Sequence, residues 1–201
     1  MRIGAIVLAG GQATRMGGHD KGLVVWRGQT LIEHSLACLS GQVDWLAVSA
    51  NRHLAQYLAH HPVVFADEPQ WRQQGPLAGL ASALGLPLPP LDWLLCVPCD
   101  MPLLPGDLVA SFVAAATAQP QRQAFYAEVG GRAQPSVLFI RPAALAALPR
   151  YLTQGGRNIR GFLAEQAAHA VPFADVVAFS NCNGLADLQE LEGIVNNRLP
   201  E

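Results

Sequence analysis

The chain lacks any run of lysines or arginines: thirteen basic residues stand against fifteen acidic ones, a formal net charge of −2. A footprint for nucleic acid or for an anionic membrane surface needs clustered cations, so neither is an expected partner. Long apolar runs are missing too, none approaching the ~18 residues of a membrane span. The opening "MRIGAIVLAGG" mimics a signal peptide only superficially. Its apolar part is about seven residues long and runs into a Gly-Gly turn, not a small-residue cleavage site. A cytoplasmic protein is expected. Cysteine is scarce, with four residues: Cys38, Cys96, Cys99 and Cys182. The C-x-x-C spacing of Cys96 and Cys99 raises zinc or thiol redox chemistry. A four-ligand zinc site needs a second pair, however, and no C-x-x-C or H-x-x-x-H partner follows. Within "WLLCVPCDMPLL" Cys96 reads as a small buried hydrophobe, and free thiols in a reducing compartment are expected.

What is present is ordinary globular material, 201 residues that are 51% hydrophobic and 14% charged. That length suits one α/β domain with a core large enough to need no staples. "IGAIVLA" (3–9) is a short continuous apolar run ended by glycines, as in a strand buried on both faces. "WLAVSAN" (45–51), "PVVFADE" (62–68) and "DWLLCVPCD" (92–100) read the same way. Between them, 30–41, 52–61 and 75–86 carry helical patterns, and a fourth helix follows over 104–119, its start assigned to Asp107. Strands alternating with helices predict right-handed βαβ units and a parallel sheet. Past residue 120, 123–140 looks like a hairpin turning at Gly130-Gly131. Helices are expected over 142–152 and 158–166, a strand over 169–173, and a last helix from about Leu185. The sheet should become mixed there, giving a three-layer, mostly parallel architecture within a single domain.

In open α/β sheets ligands bind beyond the carboxyl ends of the strands. Here those ends read Leu8-Ala9-Gly10-Gly11, Ser49 to Asn51, Asp67, and Cys99-Asp100. The first loop, "VLAGGQATRMGGHDKGL", fits neither the dinucleotide fingerprint nor the Walker pattern, since Gly22 follows Lys21. Its glycines still let backbone N–H groups approach an anion closely. Arg15 adds a planar fork for phosphate oxygens and Lys21 a point charge. The loop therefore looks built to wrap a polyphosphate. Asp100 ends an apolar strand and is aimed by the stiff "MPLLP" that follows, a carboxylate suited to Mg²⁺ bridging phosphates.

Taken in order, "VLAGGQATRMGGHDKGL", "SANRH", "GPLAGL", "CVPCDMPLL" and "NCNGLADL" resemble the molybdenum cofactor guanylyltransferases, nucleotidyltransferases of the Rossmann-like type, over residues 7–188. The resemblance implies transfer of GMP from GTP to the terminal phosphate of Mo-molybdopterin, with release of pyrophosphate and with Mg²⁺ as cofactor. It assigns GTP to the first half, about 1–120: Leu8, Ala9, Gly10 and Gly11 at the base, with Ser49 and Gly79 nearby. Arg15 and Lys21 then serve the phosphates, Asp67 the nucleoside, and Asp100 the metal. Ser49 departs from the family pattern, which often has asparagine there, and a hydroxyl lacks the amide's paired donor and acceptor. The pterin falls to about 121–201, on Arg157, Asn181 and Asn183. The two asparagines have a second reading, as Asx turn and helix cap. An accessory GTP-binding protein and acceptor molybdoenzymes are implied as partners, and a monomer is expected. The rival readings are a cytidylyltransferase for the same acceptor, another small nucleotidyltransferase, and a non-catalytic nucleotide-binding module. The second glycine of L-A-G-G favours a purine, because related cytidylyltransferases tend to carry L-A-A-G.

Overall fold

A strand covered on both faces must be apolar on both, which is why β1 (Ile3–Leu8) and β6 (Trp93–Pro98) read as unbroken hydrophobic runs. The computed structural model describes residues 1–9, 20–72 and 74–198. The remaining strands are β2 (Val25–Trp26), β3 (Gln29–Thr30), β4 (Trp45–Ser49), β5 (Val64–Phe65), β7 (Ala124–Val129), β8 (Arg132–Ile140) and β9 (His169–Phe173). The helices are α1 (Leu31–Leu39), α2 (Leu54–His60), α3 (Pro76–Ala83), α4 (Leu108–Ala118), α5 (Pro142–Leu145), α6 (Leu148–Thr153), α7 (Ile159–Glu165) and α8 (Leu185–Arg198). No helix among the described residues is long and apolar enough to cross a membrane.

Seven strands form one sheet in the order β5-β4-β1-β6-β8-β7-β9, and β2 and β3 form a separate small hairpin. The pairs β5/β4, β4/β1, β1/β6 and β7/β9 are parallel, and β8 runs antiparallel to both β6 and β7. The sheet is thus mostly parallel and mixed in its second half, as expected. Residues alternate between the two faces. Ile3, Ala5 and Val7 of β1, with Trp93, Leu95 and Val97 of β6, meet Ile32 and Leu36 of α1 and Phe112 of α4. Ile6, Leu94 and Cys96 face the other way, onto Leu77 and Leu80 of α3, Leu145, Leu152 and Phe162. Helices on both faces make three layers.

Two expectations need correction, and one element was not foreseen. The helix expected over 142–152 is two, α5 and α6, because Pro149 has no N–H to continue the ladder and its ring clashes with the turn before it. The strand expected over 62–68 pairs only at Val64 and Phe65, where an edge strand meets β4. Asp107 stands at the N-cap of the fourth helix as expected, although its side chain makes no capping bond among the described residues. The β2–β3 hairpin was not anticipated. It turns at Arg27 and Gly28, both with positive φ (51° and 82°), as a type I′ turn requires. The β7–β8 hairpin turns in the same manner at Gly130 and Gly131.

The heart of the first face is aromatic. Phe139 stacks on Trp93 at a centroid distance of 4.6 Å and on Phe112 at 5.4 Å. All three are fully buried. Phe139→Ala should therefore lower unfolding stability by about 3–5 kcal/mol, read as a lower urea midpoint at unchanged slope.

Candidate functional site

The ladder brings three strand ends level. Leu8 lies opposite Ser49 on one side and Pro98 on the other. The backbone then stays tied as the strands run out: Ala9 N–H donates to Ser49 O (2.8 Å), Ala50 N–H to Phe65 O (2.9 Å) and Cys99 N–H to Leu8 O (3.0 Å). Polar residues delivered just past these ends share one edge of the sheet.

Lys21 opens a 3₁₀ turn, Lys21–Leu23, and reaches across that edge. Its ammonium donates to the Asp100 carboxylate through Oδ2 and to Asn183 Oδ1 at 2.7 Å. Asn183 arrives from the far end of the chain because α8 is docked. Leu188 and Leu191 pack with Trp26, Leu31 and Cys182, and Arg27 contacts Glu192 (3.7 Å) and Asn196 (3.4 Å). Cys182 N–H donates to Asp100 O (2.8 Å), which pins the Asn181–Cys182–Asn183 stretch beside the carboxylate.

This geometry takes the capping role away from the Asn183 side chain. The cap of α8 comes from Asp187, whose Oδ2 accepts from the N–H groups of Asn183 (2.6 Å) and Gly184 (3.0 Å). The Asn183 amide is left to Lys21. Asn181 is exposed, and the thiol between the two asparagines is buried and pushed up to about 11 by desolvation, with Asp100 and Asp187 adding to the rise. Cys96 and Cys99 are also buried, and desolvation raises both thiols well above the ordinary range.

Asp67 is buried and clasped by Asn51, whose Nδ2 donates to Asp67 Oδ2 (2.8 Å) while Asn51 Oδ1 accepts from Asp67 N–H (2.9 Å). Burial raises the Asp67 carboxyl, and the Asn51 hydrogen bond and the Arg72 charge oppose it. Ser49 is 2% exposed and covered by α3. A Cβ at Gly79 would stand 2.5 Å from Ser49 Oγ and 3.0 Å from Leu8 Cδ2, so glycine is what lets α3 close over the strand ends. Arg157 is exposed, and its Nη1 donates to Leu152 O (2.7 Å) and Gly156 O (2.6 Å), tying down the segment after α6. Gly10, Gly11 and Arg15 lie outside the described residues.

Three residues beside this edge had been passed over in the sequence: Asn51, Asp20, and Tyr57, whose hydroxyl donates to Asp20 Oδ1. Asn51 stood in the quoted "SANRH" and Asp20 in the quoted loop, but neither had a role. Tyr57 sits mid-helix with no local signal at all. As for a metal, no group of three or more His, Cys, Asp or Glu converges among the described residues. Asp100 Oδ1 is nevertheless buried with no hydrogen-bond partner among them. Its other oxygen and Asn183 Oδ1 already converge on one cation, the Lys21 ammonium. Two hard oxygen donors focused on one point suit Mg²⁺, which takes few protein ligands and completes its shell with phosphates and water.

Residues 5–171 match the MobA-like NTP transferase domain. The molybdenum cofactor guanylyltransferase of Neisseria meningitidis is 42% identical over 191 residues, covering 94% of this chain and all of that one. That of Pasteurella multocida is 41% identical over 186 residues, 92% of this chain and 96% of that one. Among solved structures, molybdopterin-guanine dinucleotide biosynthesis protein A from Archaeoglobus fulgidus superposes with a TM-score of 0.75 at 20% identity, covering 96% of this chain and 99% of that one. A 4-diphosphocytidyl-2C-methyl-D-erythritol synthase from Anaerococcus prevotii reaches 0.72 at 12% identity, with 97% and 96% covered. Likeness at those identities shows the fold alone.

The Asn51–Asp67 clasp is directly testable. Because the Asn51 hydrogen bond favours the charged carboxylate, Asn51→Ala should move the Asp67 titration, followed by carboxyl NMR, further upward.

Proposed function

The chain belongs to the MobA-like NTP transferase family, and we propose that it transfers GMP from GTP to the terminal phosphate of Mo-molybdopterin, releasing pyrophosphate. The observation that carries this reading is the meeting of Lys21, Asp100 and Asn183 at the carboxyl edge of the sheet. It stands in a chain about as long as relatives named for that activity.

The acceptor needs no general base. A phosphate monoester has a second pKa near 6, so it is already mostly dianionic at neutral pH. The difficulty is electrostatic, a dianion approaching a triphosphate, and the remedy is fixed positive charge with in-line positioning. Asp100 and Asn183 would hold Mg²⁺, which when bound neutralises phosphate charge around the reacting phosphorus. Lys21 is a compact ammonium on a flexible stem. It can turn from Asp100 and Asn183 to the phosphates of the bound nucleotide. Arg15 adds a second cation, and Leu8, Ala9, Gly10 and Gly11 offer backbone to the base. The Asp67–Asn51 clasp sets the nucleoside edge, with Ser49 and Gly79 acting from beneath as packing.

The pterin side is assigned to the second half. A cavity of about 380 Å³ between β7, β8 and α7 is lined by Tyr126, Ala133, Pro135, Arg160, Leu163 and Ala164, among others. Its size falls in the range of small-molecule sites, which begins at about 300 Å³. Ala133 and Pro135 lie on the part of β8 that runs past its last pairing with β6, Cys96 to Leu138, towards the Asp100 edge. Asn181, exposed beside Cys182, and Arg157 complete the acceptor assignment.

Two measurements test this function. Calorimetry should give Mg²⁺-dependent binding of GTP in preference to CTP and ATP. A preference for CTP would transfer the reading to the cytidylyl relatives. Lys21→Ala and Asp100→Ala should fold normally yet lose about 10²-fold or more in pyrophosphate release. Wild-type turnover in either would sink the assignment.

A further inference from the structure

The turn that carries Lys21 is held on both sides by one phenol. Tyr57, on α2, is fully buried, and its hydroxyl donates to the carboxylate of Asp20, itself 8% exposed. On the other flank, Gly22 is packed so closely on the same ring that a Cβ there would overlap the Tyr57 hydroxyl. The turn closes on itself through Leu23 N–H to Asp20 O (3.0 Å) and Val24 N–H to Lys21 O (3.2 Å). The residues before and after Lys21 are therefore both packed on Tyr57, and its side chain reaches out from a held turn.

A buried hydroxyl and a buried carboxylate are each costly without a partner, and here each serves the other. Space filling alone would be met by phenylalanine. Burial and the Asp20 carboxylate push the Tyr57 phenol far above its ordinary value, so it remains a donor throughout the neutral range. The stretch leading into α2 also supplies Asn51, which clasps Asp67. One segment thus anchors both the lysine turn and the acidic group at the end of β5.

We propose that Tyr57 and Asp20 are positioning residues for Lys21, setting where its ammonium stands relative to Asp100, Asn183 and the phosphates of the substrate. This rests on the reading of Lys21 as the phosphate-facing cation. Displacing a reacting or charge-stabilising group by about 1 Å can cost on the order of 10²-fold in rate.

The test is a cycle on the full-length protein, measuring kcat and KM for GTP by pyrophosphate release with Mo-molybdopterin as acceptor. Tyr57→Phe keeps the ring and removes only the hydroxyl. It should lower kcat roughly 10- to 100-fold with a smaller change in KM. Combined with Lys21→Ala, it should add no further loss. Asp20→Ala should lose kcat as Tyr57→Phe does, and Asp20→Asn, which keeps an oxygen to accept the bond, should recover most of it. Wild-type kcat in Tyr57→Phe, or losses that multiply in the double variant, would overturn the proposal. Wild-type kcat in Lys21→Ala would instead show that the underlying reading of the lysine had failed, and the positioning role with it. Should Tyr57→Phe fail to fold, the Asp20 pair decides alone: equal kcat in the alanine and asparagine variants refutes positioning, and recovery by asparagine supports it.

Discussion

The ammonium of Lys21 is shared between the carboxylate of Asp100 and the amide oxygen of Asn183, partners 79 and 162 residues away in the chain. Three remote segments can meet at one cation only if each is delivered by something rigid, and the apolar frame does the delivering. The ladder fixes Asp100 just beyond β6, the docking of α8 on the Trp26 and Leu31 patch fixes Asn183, and Tyr57 fixes the turn of Lys21. The side chains of Lys21 and Asp100 are 21% and 15% exposed, so the pair is only partly desolvated. Such a pair adds little to net stability, and its significance lies in where it puts charge.

Much of this frame is legible in the sequence because two-sided burial leaves a plain signature. "IGAIVLA" and "WLLCVP" are apolar at every position, since odd residues meet α1 and α4 and even residues meet α3 and its neighbours. The glycine pair at 130–131 announced a hairpin by the positive φ that its turn demands. Arg27-Gly28 makes the same turn, but an arginine in a left-handed conformation is a weak local cue, and the two-residue strands beside it have no periodicity to detect. Pro149 divides α5 from α6, but the apolar pattern around it runs on through both and reads as a single helix.

The candidate site was legible only in part, and the division follows range. Lys21 and Asp100 could be picked out singly, because each stands at a strand end or in a glycine-rich loop whose local composition is costly without a use. Their contact spans the fold and leaves no local trace. Asn183 shows the point sharply: in the sequence, an asparagine before "GLADL" serves equally as a helix cap or as a ligand-facing amide. Asp187, four residues on, takes the capping role and releases the amide. Tyr57 is quieter still, since a tyrosine on the buried side of a helix looks the same whether its hydroxyl is idle or holds a loop.

The choice of lysine at position 21 follows from what the cluster must do in the proposed reaction. A guanidinium would match Asp100 with a fixed, bidentate fork and would resist leaving it. An ammonium is a point charge with rotatable donors, able to exchange one set of oxygens for another at small geometric cost. Asp100 and Asn183 are oxygen donors that a second cation could satisfy as well as the first. A lysine between them holds the acidic edge together and can move to the phosphates once another cation serves those oxygens. That exchange requires a mobile head on an immobile base, and the turn clamped from both sides by Tyr57 supplies the base.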